Sequence, residues 1–287
     1  MTVEVWGMMG AGAAALIAGL VLVWPRFRAA AGVDKILVLG PALEAVSLAI
    51  FAAEHFTAAR DLMQIVPKWL PGPLFWTYLV GAALLAASLS FIAFRCVRWA
   101  AGLLALLFLI IVATVDLPGL PSSLHDRISW TLTVRELCFA SGAMVLAGSV
   151  WPHGKMASAL MVVGRWIVAA VMVFYGIEHF LFPHNVVGVP LEKLTPPWMP
   201  ASAAIAWLVG ATLVIAGVAM FFPRLVRIAA AGCGAVLLLV TALFYGPIMV
   251  DQIHTAAVEG INYFGDTLLF ASTVLLAGSG RAGSESS

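Results

Sequence analysis

Charge is what this 287-residue chain has least of: Asp, Glu, Lys and Arg make up 10% of it, against about a quarter of a soluble domain. With 63% of residues hydrophobic, there is too little polar surface to wrap a soluble globule. Cysteine is scarce as well. Cys96, Cys138 and Cys233 lie far apart and form no CxxC pair, which excludes dithiol exchange and leaves each as a small apolar filler. No Lys/Arg-rich run occurs and the formal net charge is +1, so no nucleic-acid partner is expected. Alternation of apolar and polar residues is absent, which excludes a transmembrane β-barrel. No two histidines stand four apart or in another compact ligand spacing, and no metal site is expected. The glycines at 7, 10 and 12 follow no strand, so they read as close helix packing rather than a phosphate loop.

What the chain has instead is long apolar blocks separated by short polar loops. Nine segments are apolar enough to cross the hydrocarbon: Trp6–Trp24, Leu37–Phe56, Leu74–Phe94, Val97–Val115, Trp130–Gly148, Leu160–Leu181, Ala203–Phe222, Leu225–Tyr245 and Phe264–Gly278. The fold class is therefore an all-α integral membrane protein whose main partner is the lipid bilayer. The first segment is expected to stay as an anchor rather than be cleaved, because Glu4 precedes it without Lys or Arg, while Arg26 and Arg28 follow it like a stop-transfer flank. Alternate loops divide the Lys and Arg residues ten to five, with Arg26, Arg28, Lys35, Arg95, Arg98, Lys155, Arg165, Arg224, Arg227 and Arg281 on the richer side. That side is assigned to the cytoplasm, with the N-terminus outside and the C-terminus inside a bacterial-type inner membrane.

The chain also repeats itself. Pro67, Trp69, Pro71, Gly81, Arg95, Arg98, Pro118 and His125 recur 129 positions later as Pro196, Trp198, Pro200, Gly210, Arg224, Arg227, Pro247 and His254. Glu54-His55-Phe56 recurs as Glu178-His179-Phe180 at a shift of 124, so the second copy carries five extra residues in the intervening loop. The organisation read from this is an N-terminal transmembrane helix with its cytoplasmic turn (1–32), a first four-helix repeat (33–153), a second (154–280) and a short cytoplasmic tail (281–287). Each copy has an even number of spans, so the two are parallel repeats related by a pseudo-two-fold axis along the membrane normal.

The run Gly176-Ile177-Glu178-His179-Phe180, then Pro183, Pro197-Trp198-Met199-Pro200 and Gly210, resembles the DoxX-like family of small four-helix membrane proteins. Gly164-Arg165 matches that family's first helix, whereas the first copy has Gly40-Pro41 and lacks the Arg. Residues 37–280 fall within the resemblance, as two family-sized units. It implies an auxiliary subunit of a quinone-linked membrane redox system, with quinone as cofactor and other membrane redox subunits as partners; the residues themselves carry no enzyme fingerprint, and no autonomous activity is expected.

Chemistry-bearing residues converge on the extracytoplasmic face in this topology. The candidate polar pocket comprises Glu54, His55, His125, Glu178, His179 and His254, joined by Glu136 and Asp266 near the outer ends of the last helix of each copy. Arg135 and Arg165 are conceivable partners for the two paired glutamates. These groups read equally as a ligand site or as a hydrogen-bond network tying loops to helix ends. Glu44 lies within a span, in register with Ser47, Phe51 and Glu54, and has no acidic counterpart in the second copy; an ion-coupled transporter is the alternative that it motivates. Trp69 and Trp198, between prolines, are expected to anchor loops at the membrane interface. A structural or assembly protein is the third reading.

Overall fold

The computed structural model describes residues 2–123 and 125–279; the polar tail 281–287 lies outside the described residues. Among the described residues, nine helices are long and apolar enough to cross a membrane, and no β-strand forms beyond one isolated bridge between Asn185 and Leu194. A backbone in lipid has no water for its amides, so continuous helices are the stable answer for these segments. The chain is a multi-pass integral membrane protein.

The nine spans are built on α1 (Val3–Ala29), α2 (Gly40–Thr57), α3 (Pro73–Ala93), α4 (Val97–Ile111), α5 (Arg127–Val150), α6 (Lys155–Leu181), α7 (Ser202–Met220), α8 (Val226–Val240) and α9 (Ala257–Gly278), with short helical turns extending α2, α4 and α8 to spans of Asp34–Thr57, Val97–Ser122 and Val226–His254. Several outlast the expected apolar limits, since backbone hydrogen bonding does not stop where hydropathy falls. α1 continues past Trp24 through Pro25 to Ala29, and α9 begins at Ala257, two residues before Glu259. α5 starts at Arg127 because Asp126 caps it, accepting from the backbone N–H groups of Ile128 and Ser129 at 3.2 Å each. The Ser129 hydroxyl, together with those two amides, holds the Asp126 carboxyl below its ordinary range.

Helices α2 to α9 pack as a closed ring in chain order, with α9 returning to α2 and α5 touching α9 across the middle; α1 lies outside, against α2. α9 is the hub, since 89% of its apolar window is buried inside the protein, against 28% for α1. Lipid is as apolar as the protein interior, so close packing through small residues holds such helices together. Gly142 admits Thr273 at the α5–α9 crossing, and Gly12 admits Ile50 at the α1–α2 crossing. Cys138 and Cys233 are buried fillers, but Cys96 is exposed in the tight turn between α3 and α4, contrary to the sequence expectation, because its turn places it outside the bundle.

α4 and α8 end in the same way. Each passes into one π-helical turn, Val112–Asp116 and Thr241–Tyr245, 129 positions apart, followed by Pro118 and Pro247. A proline ring clashes with the carbonyl four residues back and offers no N–H, and widening the turn by one residue relieves both problems.

Candidate functional site

Where α2 and α4 end and α3, α5 and α9 begin, the helices enclose a cavity of about 1190 Å³. One wall is apolar, built by Leu79, Val80 and Leu84 of α3 with Leu107, Phe108 and Ile111 of α4. The opposite wall is polar: Glu54 and His55 from α2, Arg135 and Glu136 from α5, Asn262 and Asp266 from α9. Gly81 brings the walls together, because a Cβ there would lie 2.7 Å from the His55 Cβ.

Arg135 organises the polar wall. Its Nη1 donates to Asp266 at 2.5 Å and its Nη2 to Glu136 at 2.8 Å, a charge-assisted pair of bonds with all three side chains mostly buried. Asn262 donates to Glu54 at 2.7 Å. Glu4, Glu192 and Glu259 line the cavity too, so its described lining holds six carboxyl side chains and one guanidinium. Glu259 pairs with Lys193 at 2.9 Å, and the Tyr263 hydroxyl donates to Glu192 at 2.6 Å. Buried atoms left without a partner include Arg135 Nε and Asn262 Oδ1.

Of the residues singled out in the sequence, the cavity brings together Glu54, His55, Glu136, His254 and Asp266. It does not include Glu44, His125, Glu178 or His179. Glu44 is fully buried beside Ser272, whose hydroxyl stands 3.4 Å from Glu44 Oε2, while Oε1 has no partner. His125 is exposed in the turn before α5. Trp69 and Trp198 are exposed on their loops. Neither Arg135 nor Arg165 pairs with the duplicated glutamates: Arg127 holds Glu178 at 3.2 Å, Asn262 holds Glu54, and Arg165 donates to the Ala277 carbonyl at 3.0 Å. Linear order does not tell which cation a helix end will meet, and the structure supplies Arg127 and Asn262 instead. Asn262 was missed altogether, although Glu259, Asn262 and Asp266 stand at steps of three and four, the spacing of one helix face. Among the described residues, no three of His, Cys, Asp or Glu are grouped to hold a metal ion.

The second half treats the corresponding region differently. The loop after α6 folds inward and buries Val186, Val187, Val189 and Leu191. Its Gly188 N–H donates to His179 Nε2 at 3.0 Å, and the Val189 carbonyl accepts from Thr267 at 3.0 Å. Arg127, already on Glu178, donates to the Leu191 carbonyl at 3.0 Å. The same residues that read as a pocket in the sequence are here the fastenings of a loop. Gly188 has φ +121°, and a Cβ there would meet the Tyr245 ring at 2.8 Å and Thr267 Cγ2 at 3.0 Å. Gly188→Ala is therefore expected to cost about 1–3 kcal/mol, read as a lowered thermal midpoint in detergent; an unchanged midpoint would show that the loop is not held as described.

Residues 43–125 match a family described as "Domain of unknown function (DUF8561)". The match takes in Glu54, His55 and the apolar wall, and stops short of Arg135, Asn262 and Asp266. No curated protein and no solved structure matches the chain.

Proposed function

We propose that this protein binds an amphipathic small molecule in the cavity of its first half, with the apolar part against α3 and α4 and the polar end on Glu54, His55 and their neighbours. The carrying observation is one cavity with an apolar wall on one side and a hydrogen-bonding wall on the other, the usual composition of a small-molecule site. Leu79 and Ile110 line it and are about half exposed, 46% and 48%, which suits entry from the lipid between α3 and α4.

The reading includes a duplicated architecture, two parallel four-helix units spanning 33–153 and 154–280, with α1 outside them. It draws support from the paired motifs, the two π-helical turns in register, and the neighbour order: α2–α3–α4–α5 is echoed by α6–α7–α8–α9, and the α9–α2 contact by α5–α6. With the Lys/Arg-rich loops in the cytoplasm, the N-terminus is outside and the cavity opens on the extracytoplasmic side.

The DoxX-like motifs favour one form of this reading, an auxiliary subunit of a quinone-linked redox system. A quinone ring presents carbonyl acceptors, to which the wall offers the unpaired Arg135 Nε, whereas the hydroxyls of a quinol suit its many acceptors better. The transport alternative leans on Glu44, which lies off the cavity and fully buried, so the geometry favours binding over an ion route through that carboxyl.

Filling the cavity is the test. Ala83 lines it, and Ala83→Trp should weaken saturable binding of a quinol or a C12 amphiphile about tenfold or more, ~1.4 kcal/mol, with the thermal midpoint preserved. Equal binding by wild type and variant would remove the cavity as the site and leave the structural or assembly reading.

A further inference from the structure

We infer that the molecule taken up by the first-half cavity carries an N–H or O–H donor that bonds His55 Nε2, with the loop of the second half displaying the bound arrangement. This rests on the ligand-binding reading above and adds the chemistry of the polar end.

The two paired histidines are held alike. His55 Nδ1 lies 2.8 Å from the Phe51 carbonyl, and His179 Nδ1 lies 2.6 Å from the Tyr175 carbonyl, each one helical turn back. A carbonyl only accepts, so Nδ1 carries the proton and Nε2 of the neutral ring is an acceptor. In the second half that acceptor is satisfied by the Gly188 amide, delivered between the apolar side chains of Val187 and Val189. In the first half the connecting loop is five residues shorter and, among the described residues, none of its amides bonds His55; His55 lines the cavity, and Phe51 is its one hydrogen-bond partner among the described residues. His55 is half-buried at the border of the cavity, and its Nε2 gains a partner when a bound molecule brings a donor to it.

Most of the polar groups around His55 are acceptors as well. Three neutral donors of the cavity lining are spent internally, Trp76 on the Pro71 carbonyl, Thr77 on Pro73 and Tyr263 on Glu192. Asn262 gives one of its two amide hydrogens to Glu54 and keeps a buried, unpartnered Oδ1, and the second oxygen of Glu54 takes no bond among the described residues. Arg135 Nε is the one buried unpartnered donor among the described lining residues, so a polar end made of acceptors would find that N–H and otherwise meet further acceptors, whereas an amine, amide or phenolic hydroxyl on an apolar body would complete His55 as Gly188 completes His179.

Radiolabelled dodecylamine binding to the full chain in zwitterionic nanodiscs, with empty discs subtracted, separates the possibilities. Dodecylamine and dodecanol, which have donors, should compete about tenfold or more better than dodecyltrimethylammonium or dodecanoate, which lack them at pH 8. His55→Leu should erase that difference, while His55→Gln, which retains a side-chain acceptor, should keep part of it, with thermal midpoints reporting that both fold. Saturable binding without head-group preference overturns the donor inference and leaves the cavity reading standing. Competition by dodecyltrimethylammonium as strong as by dodecylamine assigns the preference to charge alone and also overturns it. Absence of saturable binding by any of the four removes both.

Discussion

Arg135→Ala should be among the most damaging single substitutions in this protein. The guanidinium sits between Asp266 and Glu136, 2.5 and 2.8 Å away, with its side chain 15% exposed. Removing it strands two mostly buried carboxyl groups without their cation, and breaking a buried pair in this way costs about 3–5 kcal/mol. A shift of that size lowers the thermal midpoint by roughly 10 °C in a chain of a few hundred residues. The cost belongs to the abandoned partners more than to the lost bonds, so adding Asp266→Asn to Arg135→Ala should recover part of the midpoint. A double variant no more stable than the single one would contradict this account, as would an Arg135→Ala protein that melts like the wild type. Ligand binding is expected to fall in the single variant too, since Arg135 and both of its partners line the cavity.

The second large effect concerns helix approach. A Cβ at Gly176 of α6 would lie 2.6 Å from Val214 Cγ2, 2.8 Å from the Gly210 carbonyl oxygen and 2.9 Å from the Val214 amide nitrogen. Two of those atoms are backbone and cannot swing aside, so Gly176→Val must push α6 from α7. Overpacking of this kind costs about 1–3 kcal/mol where the surroundings can give and more where they cannot. The relation is mutual: a Cβ at Gly210 would lie 2.9 Å from the Gly176 carbonyl oxygen and 3.0 Å from the His179 Cβ. Widening this crossing also unseats the histidine that fastens the inserted loop. Gly232→Ala is the control, since open space surrounds that position and alanine is the better helix former by about 1 kcal/mol. Thermal unfolding in detergent should show Gly176→Val strongly destabilised and Gly232→Ala unchanged or improved; equal midpoints would mean that α6 and α7 do not depend on that contact.

Much of the fold is legible in sequence because its cause is local. Whether some twenty consecutive residues are apolar decides whether they cross lipid, and the all-helical class and the nine spans follow from that one-dimensional property. The ends were less legible: α9 starts at Ala257 rather than Phe264 because Glu259 and Asn262 lower its hydropathy without breaking the helix. Pairing of motifs was visible too, as identities at a constant shift, and it pointed to Glu54, His55, Glu178 and His179 as a set. What that pairing could not convey is that the two members do different work. His179 is buried under Gly188 and His55 borders an open cavity, a difference that arises from five extra residues of loop and the side chains that this loop buries.

Composition and periodicity by themselves determined the solvent of this chain, its helical class and the loops that collect its polar residues, since each depends on neighbours in sequence. Only the tertiary structure decided which faces look inward and which distant groups meet, such as Arg135 with Asp266, 131 positions away. In water an apolar stripe betrays the buried side of a helix. In lipid both sides are apolar, so the pattern is silent about facing, and contact geometry alone separates a cavity wall from a surface bathed in lipid.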